Sequence, residues 1–259
     1  MEWFKIRSFI TFLLTSKNQH GVHSPFVYHL VTKCFNGKTN PSKMIAVNKI
    51  RKSLYSNHKS ITITDYGKGS SVFKKNERKV SGIAKIAGIS NKRAKLLHRI
   101  IDYFNPKNIL EIGTSVGLGA SVLSIGNPEA DIVTLEGCEN TAQVAKKLFK
   151  INHLDNIKLV VGNFNDTLPS VVKGKQFDLI YFDGNHQKIA TLDYFNQCLE
   201  TVHNDSIFIF DDINWSPEMQ LAWEEIKNHP KVTITINTFY WGFVFFRREQ
   251  EKQHFTIRV

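Results

Sequence analysis

Phe-Asp-Leu-Ile-Tyr-Phe-Asp-Gly-Asn-His (177–186) and Ile-Phe-Ile-Phe-Asp-Asp-Ile-Asn-Trp (207–215) are two apolar runs that each end in acid. Runs of Ile, Phe, Leu and Tyr without polar alternation read as strands buried on both faces, the kind found in a parallel sheet covered by helices. In open α/β sheets ligands bind outside the carboxyl ends of the strands, so Asp183, Asp211 and Asp212 are expected at one crevice. Crowded carboxylates repel one another unless a cation sits among them, and an all-oxygen set suits Mg²⁺ or a similar hard divalent ion. His186, three residues past Asp183, is placed to move a proton beside that ion.

Outward from these runs the pattern alternates regularly. Helices are predicted over 91–104, 116–125, 139–152, 188–202 and 216–228, and strands over 108–113, 131–136, 157–161, 177–183, 206–211, 232–239 and 242–248. This is the signature of an α/β domain, 91–259, with a doubly wound, mostly parallel seven-stranded sheet. The last two strands are too close for a crossover, so the final one must be antiparallel.

Residues 1–90 read as a basic, helical N-terminal extension. Ser24 and Pro25 suit the cap and first position of a helix running to Phe35, and another helix is expected over about 43–55. Residues 61–79 read as a long polar loop, and its glycine-rich part, Asp65–Ser70, is either a solvated connector or a lid over a ligand.

The chain of 259 residues is 42% hydrophobic and carries a formal charge of +11, which excludes a disordered chain. Residues 1–107 hold 21 Lys and Arg against 4 Asp and Glu, while the remainder holds 13 against 19. A basic front joined to an acidic half points to an anionic small molecule, a membrane face or nucleic acid as partner, or to a solvated basic surface. Cys34, Cys138 and Cys198 have no disulfide or zinc spacing, and a cytoplasmic setting fits them. The first 16 residues mimic a signal peptide but lack a cleavage site and are too short to span a bilayer. Their apolar helical face either packs on the protein body or makes a peripheral membrane contact.

A second constellation follows the first strand of the alternation. Glu111-Ile-Gly-Thr-Ser-Val-Gly-Leu-Gly (111–119) is a strand-to-helix turn that lets backbone approach a ligand, with spacing unlike the G-x-G-x-x-G of dinucleotide enzymes. The next strand ends in Glu136, where a carboxylate can accept hydrogen bonds from ribose hydroxyls.

On these residues the chain, over 91–259, resembles the class I S-adenosylmethionine-dependent methyltransferases, which have a Rossmann-like fold. Within them it looks most like the Mg²⁺-dependent O-methyltransferases of the catechol, caffeoyl-CoA and sugar type. The resemblance implies that Glu111, Gly113, Ser115 and Gly117 hold the amino acid part of the cofactor, Glu136 its ribose, and Asn163 and Phe164 its adenine. It places the metal on Asp183, Asp211 and Asp212, with Asp183 also beside the cofactor, and the catalytic base on His186. The implied function is metal-dependent O-methylation of a hydroxyl on a small molecule, glycan or lipid-linked acceptor. An RNA methyltransferase is the alternative within enzymes, against which the carboxylate trio and the lack of an Asn-Pro-Pro-Tyr type motif count. A non-catalytic membrane or nucleic-acid binding module is the other, and the intact acids and His186 count against it.

Overall fold

A computed structural model of the chain describes residues 2–64 and 76–259, so the expected lid stretch Asp65–Ser70 lies outside the described residues. In chain order the helices are α1 (Glu2–Thr15), α2 (Pro25–His29), α3 (Pro41–Tyr55), α4 (Val80–Ile86), α5 (Asn91–Phe104), α6 (Leu118–Gly126), α7 (Glu139–Ile151), α8 (Phe164–Val172), α9 (Lys188–Cys198) and α10 (Pro217–Asn228). The strands are β1 (Ser60–Thr62), β2 (Glu77–Lys79), β3 (Asn108–Ile112), β4 (Asp131–Glu136), β5 (Ile157–Val161), β6 (Leu179–Phe182), β7 (Ile207–Phe210), β8 (Ile234–Asn237), β9 (Gly242–Phe245) and β10 (Gln253–Thr256). β1 and β2 pair with each other, antiparallel, and the rest form an eight-stranded sheet in the order β10-β8-β9-β7-β6-β3-β4-β5. The neighbours β3-β4-β5, β6-β7 and β8-β10 pair in parallel, while β9 runs antiparallel to β7 and β8.

This is the expected doubly wound sheet with its antiparallel β9, plus an eighth strand where seven were expected. β10 is half-exposed and follows the polar run Arg247–Lys252, so it lacks the apolar pattern that marks the others. Two helices were also unannounced. α4 is a seven-residue helix inside the basic front, and α8 carries Pro169 in its interior, a residue that argues against a helix by its missing N–H.

The chain divides into a terminal unit, Met1–Asn36 with Val171–Val259, and a central unit, Gly37–Ser170. In the central unit α5 starts where Ser90 Oγ accepts from the Arg93 N–H at 3.3 Å. It buries Ala94, Leu97, Ile100 and Ile101 as one face and ends at Asn105, whose φ of 46° is left-handed. Gly117, at φ 89°, opens α6, and a Cβ there would meet the Phe149 ring of α7 at 2.8 Å. Only glycine serves both the turn and the approach of that ring.

The core of the terminal unit is aromatic. Every residue of β6 and β7 is buried, and Phe182 stacks on Phe210 with centroids 4.2 Å apart. Tyr181 meets Trp241 edge-on at 5.6 Å, and Phe35, the last residue of the π-helical stretch that continues α2, lies on Phe243. The C-terminal strand holds α1 in place: the Lys17 N–H donates to the Thr256 carbonyl at 2.8 Å, and Arg258 Nη2 donates to the Leu13 carbonyl at 2.7 Å.

One side of α1 packs on the protein body, and the other is exposed. Ser8 and Phe12 are buried, whereas Trp3 is 84% exposed and Leu14 81%, with Ile6, Ile10 and Leu13 on the same outward stripe. No helix among the described residues is long and apolar enough to cross a membrane.

Gly242 is the tightest point of the aromatic core, since a Cβ there would lie 2.5 Å from the Trp223 indole of α10. Gly242→Ala must displace that ring or bend β9, so we expect a loss of roughly 1–3 kcal/mol in urea unfolding. Unchanged stability would mean that the Trp223 contact is slack.

Candidate active site

In the central unit the turn after β3 is shaped by backbone bonds to the end of β4. The N–H groups of Gly113 and Thr114 both donate to the Leu135 carbonyl at 3.0 Å. Gly113 sits at φ 109°, Ser115 at 49° and Gly117 at 89°, so the loop passes through positive-φ backbone three times before α6. The Glu136 carboxylate ties this loop to the strand: Oε2 accepts from the Ser115 N–H at 2.7 Å, and Oε1 from the Cys138 N–H at 2.9 Å. A carboxylate has about four acceptor positions, and each oxygen of this one accepts a backbone N–H.

Glu111 behaves differently. It lies within β3, 1% exposed, opposite Thr134 in the β3–β4 register, and Thr134 Oγ1 bonds its Oε2 at 2.5 Å. Thr114 Oγ1 joins Thr134 Oγ1 at 2.6 Å, giving a buried chain Thr114–Thr134–Glu111. Neither threonine was singled out from the sequence. The signal was there: an acid inside an otherwise apolar strand requires a hydrogen-bonding neighbour on the adjacent strand.

Gly162, at φ 145°, follows β5 and donates its N–H to the Glu136 carbonyl at 2.9 Å. Asn163 precedes α8, and its Oδ1 accepts the Asn165 N–H at 3.0 Å, so its side chain caps the helix that Phe164 begins. The stem of β1 also reaches this region. Asn140 Nδ2 donates to the Thr62 carbonyl at 2.9 Å, and the Thr64 N–H points to Cys138 Sγ at 3.4 Å.

In the terminal unit the acids stand one residue past their strands. Asp183 follows β6 and accepts the Tyr181 hydroxyl on Oδ2 at 3.0 Å, while His186 Nε2 lies 3.9 Å from Oδ1. Asp211 follows β7, is buried, and donates its N–H to the Phe182 carbonyl at 2.9 Å, which sets the two strand ends side by side. Its Oδ1 accepts the Asp212 N–H at 2.9 Å, and Asp212 takes a left-handed φ of 54°. Asn185 donates to the Tyr194 hydroxyl at 3.3 Å, and burial pushes the Tyr194 phenol above its ordinary pKa.

The oxygen donors of Asp183, Asp211 and Asp212 suit a hard cation in kind. Among the described residues no group of three or more His, Cys, Asp or Glu side chains is gathered closely enough to mark a metal site. Asp183 and His186 stand together after β6, and Asp211 and Asp212 follow the next strand. The Asp211 carboxylate is engaged by the backbone N–H of its neighbour Asp212.

A sequence profile of the O-methyltransferase family matches residues 72–240, the greater part of the chain. The chain belongs to the O-methyltransferase family. It is an S-adenosylmethionine-dependent O-methyltransferase. Solved structures carry the same fold at low identity. The O-methyltransferase TomG of Streptomyces achromogenes, involved in tomaymycin synthesis and bound to SAM, is 21% identical with a TM-score of 0.55, over 62% of this chain and 82% of that one. An O-methyltransferase from Bacillus cereus in complex with SAH is 21% identical with a TM-score of 0.54, over 79% and 90%. The SAH-bound methyltransferase PaMTH1 of Podospora anserina reaches a TM-score of 0.61 at 17% identity, over 87% and 97%.

In this O-methyltransferase, burial pushes the Glu111 carboxyl up to about 8, against the Thr134 hydrogen bond and with the help of the Glu136 charge. Between 4.5 and about 8 the folded enzyme keeps a proton that the unfolded chain releases, so this group's contribution to stability falls as pH rises through that window. Glu111→Gln is neutral throughout and should remove the slope, on the order of 1.4 kcal/mol per pH unit. Urea unfolding at about pH 5.5 and about pH 7.5 is the check, with the variant expected to gain on the wild type at the higher pH. Parallel pH dependence in the two proteins would show that Glu111 ionises normally.

Proposed function

We propose that the enzyme methylates a hydroxyl of a small, anionic or glycan-type acceptor, with Glu136 and the glycine turn at the cofactor and Asp183 and His186 at the acceptor proton. The Asp183–His186 pair at the end of β6 carries this reading. A sulfonium methyl is electrophilic already, so what the protein must supply is a deprotonated oxygen in line with it. The acceptor hydroxyl gives its proton to the His186 ring as its oxygen takes the methyl group, and the sulfonium leaves as a neutral thioether. Asp183, steadied by the Tyr181 hydroxyl, stabilises the imidazolium that forms.

On the cofactor side, Glu136 would accept the ribose hydroxyls and the turn Gly113–Gly117 would admit the amino acid part. Glu111 would meet the cofactor's ammonium only by losing its buried proton. Asn163 and Phe164, at the start of α8, remain the residues assigned to the adenine. A divalent cation, with Asp183, Asp211 and Asp212 as its holders, would lower the pKa of the acceptor hydroxyl.

The two halves of this reading separate in one set of measurements. His186→Asn should lower kcat by about 10²–10⁴-fold towards catechol and sugar-acid acceptors and leave cofactor affinity unchanged. Glu136→Ala should weaken cofactor binding by roughly 1–3 kcal/mol in calorimetry. EDTA should reduce turnover without touching cofactor binding, and full turnover in EDTA would leave the proton to His186 alone. Unchanged kcat in His186→Asn would remove that residue from the chemistry.

The outward stripe of α1 favours a membrane-peripheral setting. Trp3, Ile6, Ile10, Leu13 and Leu14 are exposed on a helix whose chain carries a net +11, a charge that two copies would repel and an anionic bilayer would attract. Vesicles of phosphatidylglycerol should therefore co-sediment the enzyme at low salt, phosphatidylcholine should not, and Leu14→Asp should abolish binding. Equal recovery with both lipids, or with Leu14→Asp, would remove the membrane from this reading.

A further inference from the structure

Within the terminal unit a cavity of about 310 Å³ opens between α1 and the carboxyl-end side of the sheet. Asn237 and Thr256 are the last residues of β8 and β10, and Asn214 lies in the loop after β7. That is the edge at which open α/β sheets bind ligands, and the volume is at the lower end of small-molecule sites, about 300–1,000 Å³. Phe4, Arg7, Ser8 and Phe12 of α1 form the opposite wall. This wall and Thr256 lie outside residues 72–240, so much of the cavity is built from segments beyond the family match.

The polar groups are oriented in advance. Phe239 holds both amides through its backbone: its carbonyl accepts Asn214 Nδ2 at 2.7 Å, and its N–H donates to Asn237 Oδ1 at 2.7 Å. Each amide keeps its other half, an acceptor on Asn214 and a donor on Asn237. Phe239 does this from a φ of 76°, which is costly for a bulky residue and which the ring contacts of Phe9 and Phe12 hold in place. None of the described residues lining the cavity is acidic, and Arg7 is its one cation. A ligand here meets a guanidinium, hydroxyls, oriented amides and two phenyl rings. That combination suits a ring with apolar C–H faces, several hydroxyls and one oxyanion.

We propose that this cavity binds an anionic sugar, a hydroxylated ring bearing a carboxylate or phosphate, as the recognition end of the acceptor. The assignment to the acceptor rests on the methyl-transfer reading above, while the binding of the sugar does not. Saturation-transfer NMR with glucuronate, glucose 6-phosphate, glucose and inorganic phosphate tests it on the full chain. Both charged sugars should bind, with glucose and inorganic phosphate about tenfold weaker or more. Arg7→Gln should weaken the charged sugars by about tenfold, the usual weight of a charge-assisted hydrogen bond. Thr256→Val, an isosteric change, should weaken all the sugars and leave inorganic phosphate alone. Cofactor affinity, which reports the central unit, should not move in either variant. Absence of charged-sugar binding, indifference to both substitutions, or phosphate binding as tight as glucose 6-phosphate would overturn the proposal. Sugar binding that responds to both variants but gives no methylated product would uphold the cavity and count against the methyl-transfer reading of the acceptor.

Discussion

Burial of both faces of β6 and β7 governs where this enzyme can carry charge. All eight residues of these strands are buried, and an ionised side chain within them would have neither water nor a partner. The acids therefore stand at the first positions past the strand ends, as Asp183 and Asp211, where the backbone leaves the sheet. The same constraint puts Glu136 at the last residue of β4. An apolar run fixes the strand, and its abrupt end fixes the site.

Glu111 is the exception, and its cost is visible. It occupies an interior position of β3 and is kept by one hydrogen bond from Thr134 and by its raised pKa, a proton replacing the solvent that burial removed. The other acid of the cradle, Glu136, accepts two backbone N–H groups. These residues are structural before any ligand arrives. Glu136 closes the loop after β3, and Asn163 caps α8 with the side chain expected at the adenine.

The parts legible in the sequence were those ruled by burial. Continuous apolar runs announced β3, β4, β6 and β7, and the short gap between β8 and β9 announced their antiparallel pairing. Ser24 and Ser90 cap α2 and α5, one as the sequence indicated and the other one residue before the expected start. What escaped was decided by tertiary context. Pro169 argued against α8 although Leu168 beside it is fully buried, and β10 owes its place to pairing with β8 rather than to any apolar pattern of its own. The three-carboxylate centre could be placed by spacing along the chain. The direction of the Asp211 carboxylate depends on a left-handed Asp212, which spacing does not encode.

The matched family span and the segments outside it divide the labour of this enzyme. Residues 72–240 contain the glycine turn, Glu136, Asp183, His186, Asp211 and Asp212, so these residues expected at the site lie in the shared part. α1 and β10 lie outside it and are fastened to each other, Lys17 to Thr256 and Arg258 to Leu13. One side of α1 closes a cavity over the strand ends and the other presents a bare apolar stripe to solvent. A helix packed on a core needs only one apolar face, and keeping a second one exposed costs solubility. The proposed sugar would meet this helix through Arg7, Ser8 and Phe12, and the proposed membrane surface would meet it through Trp3, Ile10 and Leu14.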